Sequence, residues 1–275
     1  MTAPESFPTP DQPQETLTVD QAIANLGSAE PGRRYYAAWW LGRNRIKNSG
    51  AVTVLIEALT DEVDRTEDGG YPLRRNAARA LGKLEDPQAV PALIQCLDCE
   101  DVYVREAAAQ SLGMLGDIRC VPALLKLLEG GVEAAQSVPG KPHLVQPYDA
   151  ILEALGDLAA REAMAEMAPF TAHPMPRVRY AALRAMYQLT GETRYAEELT
   201  QELQAKDLQL RRSALMDLGA IGYLPAAPAI AETLAENSMK LIALKGVLEH
   251  HLQTTQGIKL SPEAIQVMDL MDSLL

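Results

Sequence analysis

The chain has 275 residues and a formal net charge of −12, with 37 Asp and Glu against 25 Lys and Arg, which argues against a nucleic-acid binder because phosphate contacts demand basic surface. Almost half the residues are hydrophobic but only 5% are aromatic, so the apolar weight lies in Ala and Leu and favours helix over sheet. Three cysteines are too few for a disulfide framework and point to a reducing cytoplasm.

Residues 1–16, "MTAPESFPTPDQPQET", are polar, acidic and proline-rich. With no basic n-region and no apolar h-region, they read as a disordered tail and not as a signal peptide. No later run approaches the ~18–20 apolar residues needed to span a bilayer.

From residue 17 onward the chain repeats itself. "RYYAAWWLG" from Arg34 is followed by "RRNAARALG" from Arg74, "REAAAQSLG" from Arg105, "YDAILEALG" from Tyr148, "RYAALRAMY" from Arg179 and "RRSALMDLG" from Arg211. The eighth position is Leu41, Leu81, Leu112, Leu155, Met186 and Leu218, which sets a period of about 31 residues with two insertions. A second apolar helix follows several copies: "AVTVLIEAL", "AVPALIQCL", "CVPALLKLL" and "AAPAIAETL". Pro91, Pro122 and Pro228 stand near its start, where a first turn tolerates proline. Gly82, Gly113 and Gly219 allow either close approach or helix termination.

Two short amphipathic helices per unit cannot bury their apolar stripes alone, so stacked neighbours must do it. The expected fold is all-α: one right-handed α-solenoid over residues 17–275, built of short HEAT-type helical-hairpin repeats. No heptad persists and no alternating strand pattern recurs.

The insertions are "TDEVDRTEDGGYPL", residues 60–73, and "EGGVEAAQSVPGKPHLVQPYDA", residues 129–150. Both read as loops ahead of the second helix of a repeat, so both are expected on one edge of the solenoid, where a rigid scaffold presents functional groups. Tyr71, His143 and Tyr148 give them aromatic and titratable chemistry. Elsewhere the conventional motifs are absent. Cys96 and Cys99 spell C-x-x-C with no second pair, and Cys96 falls on an apolar helix face. "PGKPH" lacks P-loop glycine spacing, and neither G-x-S-x-G nor H-E-x-x-H occurs.

Four of the chain's aromatics crowd the first copy. In aligned copies the slot of Tyr35 holds Arg75, Glu106, Asp149, Tyr180 and Arg212, and that of Trp39 holds Arg79, Gln110, Glu153, Arg184 and Met216. Those are mostly solvent-facing positions. Tyr36 and Trp40 occupy slots of small residues and are expected to pack in the core. Residues 31–50 carry Arg33, Arg34, Arg43, Arg45 and Lys47 without an acid, and the second copy adds Arg74, Arg75, Arg79 and Lys83. A cationic, aromatic-lined half of an acidic protein suits a planar conjugated ligand bearing carboxylates; it equally suits an acidic partner.

The segments "RRYYAAWWLGR", "GGYPLRRNAARALGKL", "YVREAAAQSLGML", "GKPHLVQPYDAILEALG" and "LQLRRSALMDLGAIGYLPAA" resemble the E (alpha) subunits of the E/F-type bilin lyases of cyanobacteria, from about residue 17 to residue 250. The resemblance implies a heterodimer with a homologous F subunit. That pair attaches phycocyanobilin, its substrate and not a resident cofactor, to a cysteine of the phycocyanin α subunit as a thioether, and can remove or transfer it. On that reading the expected roles are Arg33, Arg34, Arg74 and Arg75 on propionates or an acidic partner, Tyr35, Trp39 and Tyr71 stacking on the bilin, and His143, Tyr148 or Asp149 handling protons near the pyrrole nitrogens. A non-enzymatic repeat scaffold or phycobilisome-degradation factor is the alternative.

Overall fold

A computed structural model describes residues 17–254 and 260–275; the expected tail at 1–16 lies outside them. Sixteen α-helices in these residues alternate between two layers. The layer of mostly longer helices comprises α2 (Pro31–Arg43), α4 (Pro72–Leu84), α6 (Val102–Leu115), α9 (Tyr148–Asp157), α11 (Pro176–Thr190), α13 (Leu208–Ile221) and α15 (Asn237–Thr254). The other holds α1 (Val19–Leu26), α3 (Ser49–Ala58), α5 (Val90–Cys96), α7 (Val121–Lys126), α10 (Met164–Met167), α12 (Thr193–Gln201), α14 (Ala227–Glu232) and the closing α16 (Pro262–Asp272); α8 (Gly131–Ala134) is a single turn in the second insertion. Each long helix packs on the next, from α2 through to α15, which makes a right-handed α-solenoid with a continuous core. Among the described residues no helix is long and apolar enough to cross a membrane.

Local chemistry sets the helix ends. Asp101 and Asp207 accept hydrogen bonds from the N–H groups of Tyr103 and Gln209, capping α6 and α13. Gly116, Gly191 and Gly222 take the left-handed conformation that ends α6, α11 and α13. Pro91, Pro122 and Pro228 stand in the first turns of α5, α7 and α14.

The repeat glycines are sites of close approach. A Cβ on Gly42 would lie 2.7 Å from Ala80 Cα, one on Gly82 2.8 Å from Ser111 Cα, and one on Gly156 2.9 Å from Ala185 Cα. The ninth position of one copy therefore abuts the seventh position of the next. Between α11 and α13 this ladder is interrupted. Tyr187 replaces the glycine and Asp217 the small residue, and Arg184 sits among Asp157 at 2.8 Å, Asp217 at 3.7 Å and Glu153 at 3.9 Å.

The same geometry corrects the expectation for Tyr36, which is 50% exposed, while Trp40 is half-buried and packs against the core. In inner copies these two slots are covered by the preceding long helix, and α2 has none before it. Helix α1 packs on α2 and α3 but supplies only the partner-layer helix of a missing unit. Tyr36 instead leans on Trp39, ring centroids 5.4 Å apart, and Arg43 lies over the Trp39 ring.

Candidate functional site

The first insertion is tied down by its own acids. Asp61 Oδ2 accepts the N–H groups of Val63 and Asp64, and Asp64 Oδ2 accepts that of Leu73. The Tyr71 N–H donates to Asp101 at 2.8 Å, and its hydroxyl donates to Glu100 at 2.6 Å. The second insertion is more than a loop. After the α8 turn, Ser137 and Leu144 form a β-bridge around a tip turned by Gly140, whose φ is +73°. Val145 N–H donates to Gln136 O, and Arg105 on α6 clasps Val145 O at 2.8 Å.

Both insertions meet over the start of α6. A cleft of about 630 Å³ is lined by Thr66 and Asp68 to Tyr71 from the first, by Val138, Lys141, Pro142, His143 and Val145 from the second, and by Arg75, Tyr103 and Arg105 between them. A smaller pocket of about 120 Å³ adjoins it. The wall they share is Val102, Tyr103, Pro142 and His143, with the imidazole edge-on to the Tyr103 ring at 5.7 Å and 78°.

The residues anticipated from sequence divide sharply here. Arg75 lines the cleft, forms no ion pair among the described residues, and has a buried Nε with no hydrogen-bond partner. His143 lines both cavities, and its Nδ1–H donates to Leu144 O at 2.8 Å, which fixes the orientation of the ring. Asp149 lines the smaller pocket and faces Arg177 at 3.6 Å. Tyr71 contributes to the cleft, but its ring is buried under the Arg74 guanidinium at 3.9 Å. The Glu100 carboxylate holds its hydroxyl proton, pushing the phenol up to about 12.

Others are committed elsewhere. Arg34 is buried, donating from Nε to Leu26 O at 3.1 Å and pairing with Asp61. Arg33 is exposed and pairs with Glu30; Arg74 pairs with Glu62 and donates to Asp61 O at 2.7 Å. Tyr148 is 1% exposed and stacks on Phe170 at 5.5 Å, a core position away from both cavities, and burial raises its phenol further. Tyr35 and Trp39 are each 41% exposed, one repeat before Arg75 and Arg79 on the same helical face.

Sequence reasoning passed over Tyr103, Glu106 and Gln146. Glu106 follows Arg75 and precedes Asp149 in the row of second positions, so a walk along that row would have reached it. Burial, and Asp149 beside it, push its carboxyl above the usual range against the pull of Arg79, Arg177 and Arg75. Tyr103 lies before the repeated motif and carries no periodic signal.

This scaffold has known counterparts. A family profile described as HEAT repeats matches residues 63–136. The phycocyanobilin lyase subunit alpha of Nostoc sp. PCC 7120 is 61% identical over 272 residues, covering 98% of both chains. The chain belongs to the phycocyanobilin lyase alpha-subunit family. The family member of Synechococcus elongatus is 62% identical over 267 residues, spanning 96% of this chain and 98% of its own. A chain in the solved complex of CpcE and CpcF of phycocyanin lyase from Nostoc sp. PCC7120 superposes with a TM-score of 0.89 at 61% identity, over all of both chains. Both insertions that build the cleft thus fall within the length this family shares.

Proposed function

We propose that this chain is the alpha subunit of a heterodimeric bilin lyase that, with a homologous F-type subunit, joins phycocyanobilin to a cysteine of the phycocyanin α subunit. The observation that carries this reading is 61% identity across 98% of both chains with a protein named for that activity. The three free cysteines, two of them buried, fit a reducing cytoplasm, where we place it.

The reaction adds a thiol across the exocyclic ethylidene double bond of the bilin. A sulfur–carbon bond forms as the π bond breaks, and a proton equivalent to the thiol's own goes to the carbon at the other end of the displaced pair. No oxidant is consumed. Because the acceptor protein brings its own nucleophile, the lyase supplies binding, orientation and a path for that thiolate. Arg75 and Lys141 in the cleft suit the two propionates, and Tyr35 and Trp39 extend a stacking face one repeat away. In this reading His143 and Asp149 handle protons at the wall of the smaller pocket. The bilin acts as substrate and leaves with the product, so no resident cofactor is required.

The test mixes this chain with its F-type partner, phycocyanobilin and apo-phycocyanin α, then denatures the product and reads zinc-induced fluorescence on the α chain. A covalent signal that needs both subunits is expected. Its absence would leave a scaffold.

A further inference from the structure

The smaller pocket has a chemistry of its own. It is enclosed by the start of α6, the returning limb of the second insertion and the start of α11. Val102, Leu144, Pro147 and Val178 give it apolar walls, and Glu106, Gln146 and Asp149 add oxygen acceptors. The Gln146 Oε1 atom is shielded from solvent and has no hydrogen-bond partner. A buried acceptor in that state is paired in most native structures, so its partner is a donor that arrives from outside.

No donor of the pocket lining reaches Gln146 Oε1. Arg177 faces Asp149, and the His143 Nδ1–H is given to Leu144 O. The complement of this lining is therefore a small flat group with apolar faces and an N–H on one edge. At about 120 Å³ the pocket suits one substituted five-membered ring and not four. The adjoining cleft, five times larger and bearing the unpaired Arg75, accommodates the rest of a longer molecule with its carboxylates.

We propose that the smaller pocket seats one terminal pyrrolic ring of the linear tetrapyrrole, with Gln146 and Glu106 accepting its N–H and the Tyr103–His143 pair flanking the bridge that leads out to the cleft. The seated ring is the one remote from the ethylidene. A ring seated here is walled by α6, the second insertion and α11, whereas the ring that is attacked must stay open to the acceptor's thiolate. This inference rests on the bilin-lyase reading and adds an orientation to it: the reacting end outward and the far end anchored.

The test uses the heterodimer and phycocyanobilin, followed by visible absorbance. Gln146→Leu removes the unpaired acceptor at nearly constant volume; it is expected to weaken bilin binding about ten-fold while slightly raising the unfolding temperature of the bilin-free protein, a combination that a purely structural role for Gln146 would not produce. Met175→Trp fills the pocket from its partly exposed rim and gives the same loss, deciding the matter if the first variant fails to fold. A two-ring dipyrrinone, carrying the terminal lactam alone, should compete with bilin on the wild type and lose that ability in both variants. Wild-type attachment with unaltered bilin binding in both folded variants would overturn the pocket assignment alone. A wild-type heterodimer that neither binds nor attaches phycocyanobilin would overturn the underlying function.

Discussion

Arg75 lies over the ring of Tyr103, its guanidinium carbon 5.8 Å from the centroid, and makes no ion pair among the described residues. Its neighbour Arg74 is the opposite case, clamped over Tyr71, paired with Glu62 and bonded to the Asp61 carbonyl. Arg74 is thus held by the scaffold, whereas Arg75 has no ion pair and is the one proposed to meet the ligand. Arg75→Met should weaken phycocyanobilin binding ten- to a hundred-fold, since a hydrogen bond to a charged group contributes about 1.5–3 kcal/mol, with little change in unfolding temperature. Arg74→Met should do the reverse. Titration with bilin and thermal unfolding of both variants check the assignment, and equal binding by Arg75→Met would refute it.

Tyr148 belongs to the core. Its ring stacks on Phe170, which in turn stacks near His173 at 6.1 Å. Tyr148→Phe keeps that packing and should leave chromophore attachment unchanged. Tyr148→Ala should cost about 3–5 kcal/mol of stability by opening a cavity. Urea unfolding and the attachment assay, run on both variants, separate packing from proton transfer. A large drop in attachment rate for Tyr148→Phe at unchanged stability would return the hydroxyl to the mechanism.

Gly42 and Ala80 set the spacing of the first two repeats. A methyl group on Gly42 would stand 2.7 Å from Ala80 Cα, which is backbone and cannot swing aside. Gly42→Ala gains about 1 kcal/mol in helix propensity, but overpacking costs about 1–3 kcal/mol or more, and the contact is at the severe end. A lower midpoint in chemical denaturation is expected. Pairing it with Ala80→Gly should recover part of the loss, because the two changes share one contact.

The interrupted ladder between α11 and α13 predicts a pH dependence. Burial pushes Glu153 up to about 8 and Asp217 to about 6, with Arg184 pulling both down. Unfolded carboxyls titrate near ~4, so between those values the folded protein keeps protons that the unfolded chain has released. Stability contributed by these groups is therefore fully present below pH ~4 and is lost as pH rises through 6 and 8. Glu153→Gln should match the wild type at pH 5 and unfold at a higher temperature at pH 8.5. Arg184→Met should be most damaging at the alkaline end, where it strands the ionised carboxylates. Identical slopes for wild type and Glu153→Gln across that range would refute the assignment.

Much of this protein is legible without coordinates. The period near 31 residues, the alternation of two helix types and the proline positions follow from apolar spacing, which any stacked helical hairpin must satisfy. The insertions stand out for the same reason, as departures from a period. What periodicity cannot supply is the environment of a slot whose neighbour is missing. Tyr36 occupies a position that is buried in inner repeats, and only the tertiary structure reveals that its burial there comes from the preceding helix. Nor can it tell a paired arginine from an unpaired one, because Asp61, Glu62 and Glu100 reach their partners across loops whose path is set by local hydrogen bonds.

By itself, then, the sequence determined the solenoid, its period near 31 residues with two alternating helix types, and the two places where that period yields to insertions. The tertiary structure alone decided that these insertions converge on Tyr103, that Arg75 is left without an ion pair while Arg34 and Arg74 are consumed, and that Gln146 Oε1 is shielded from solvent without a donor. The physical reason is range: helix periodicity is written between residues three and four apart, whereas the cleft is made by residues far apart in the chain, such as Arg75 and Tyr103 or Arg105 and Val145, whose meeting depends on packing.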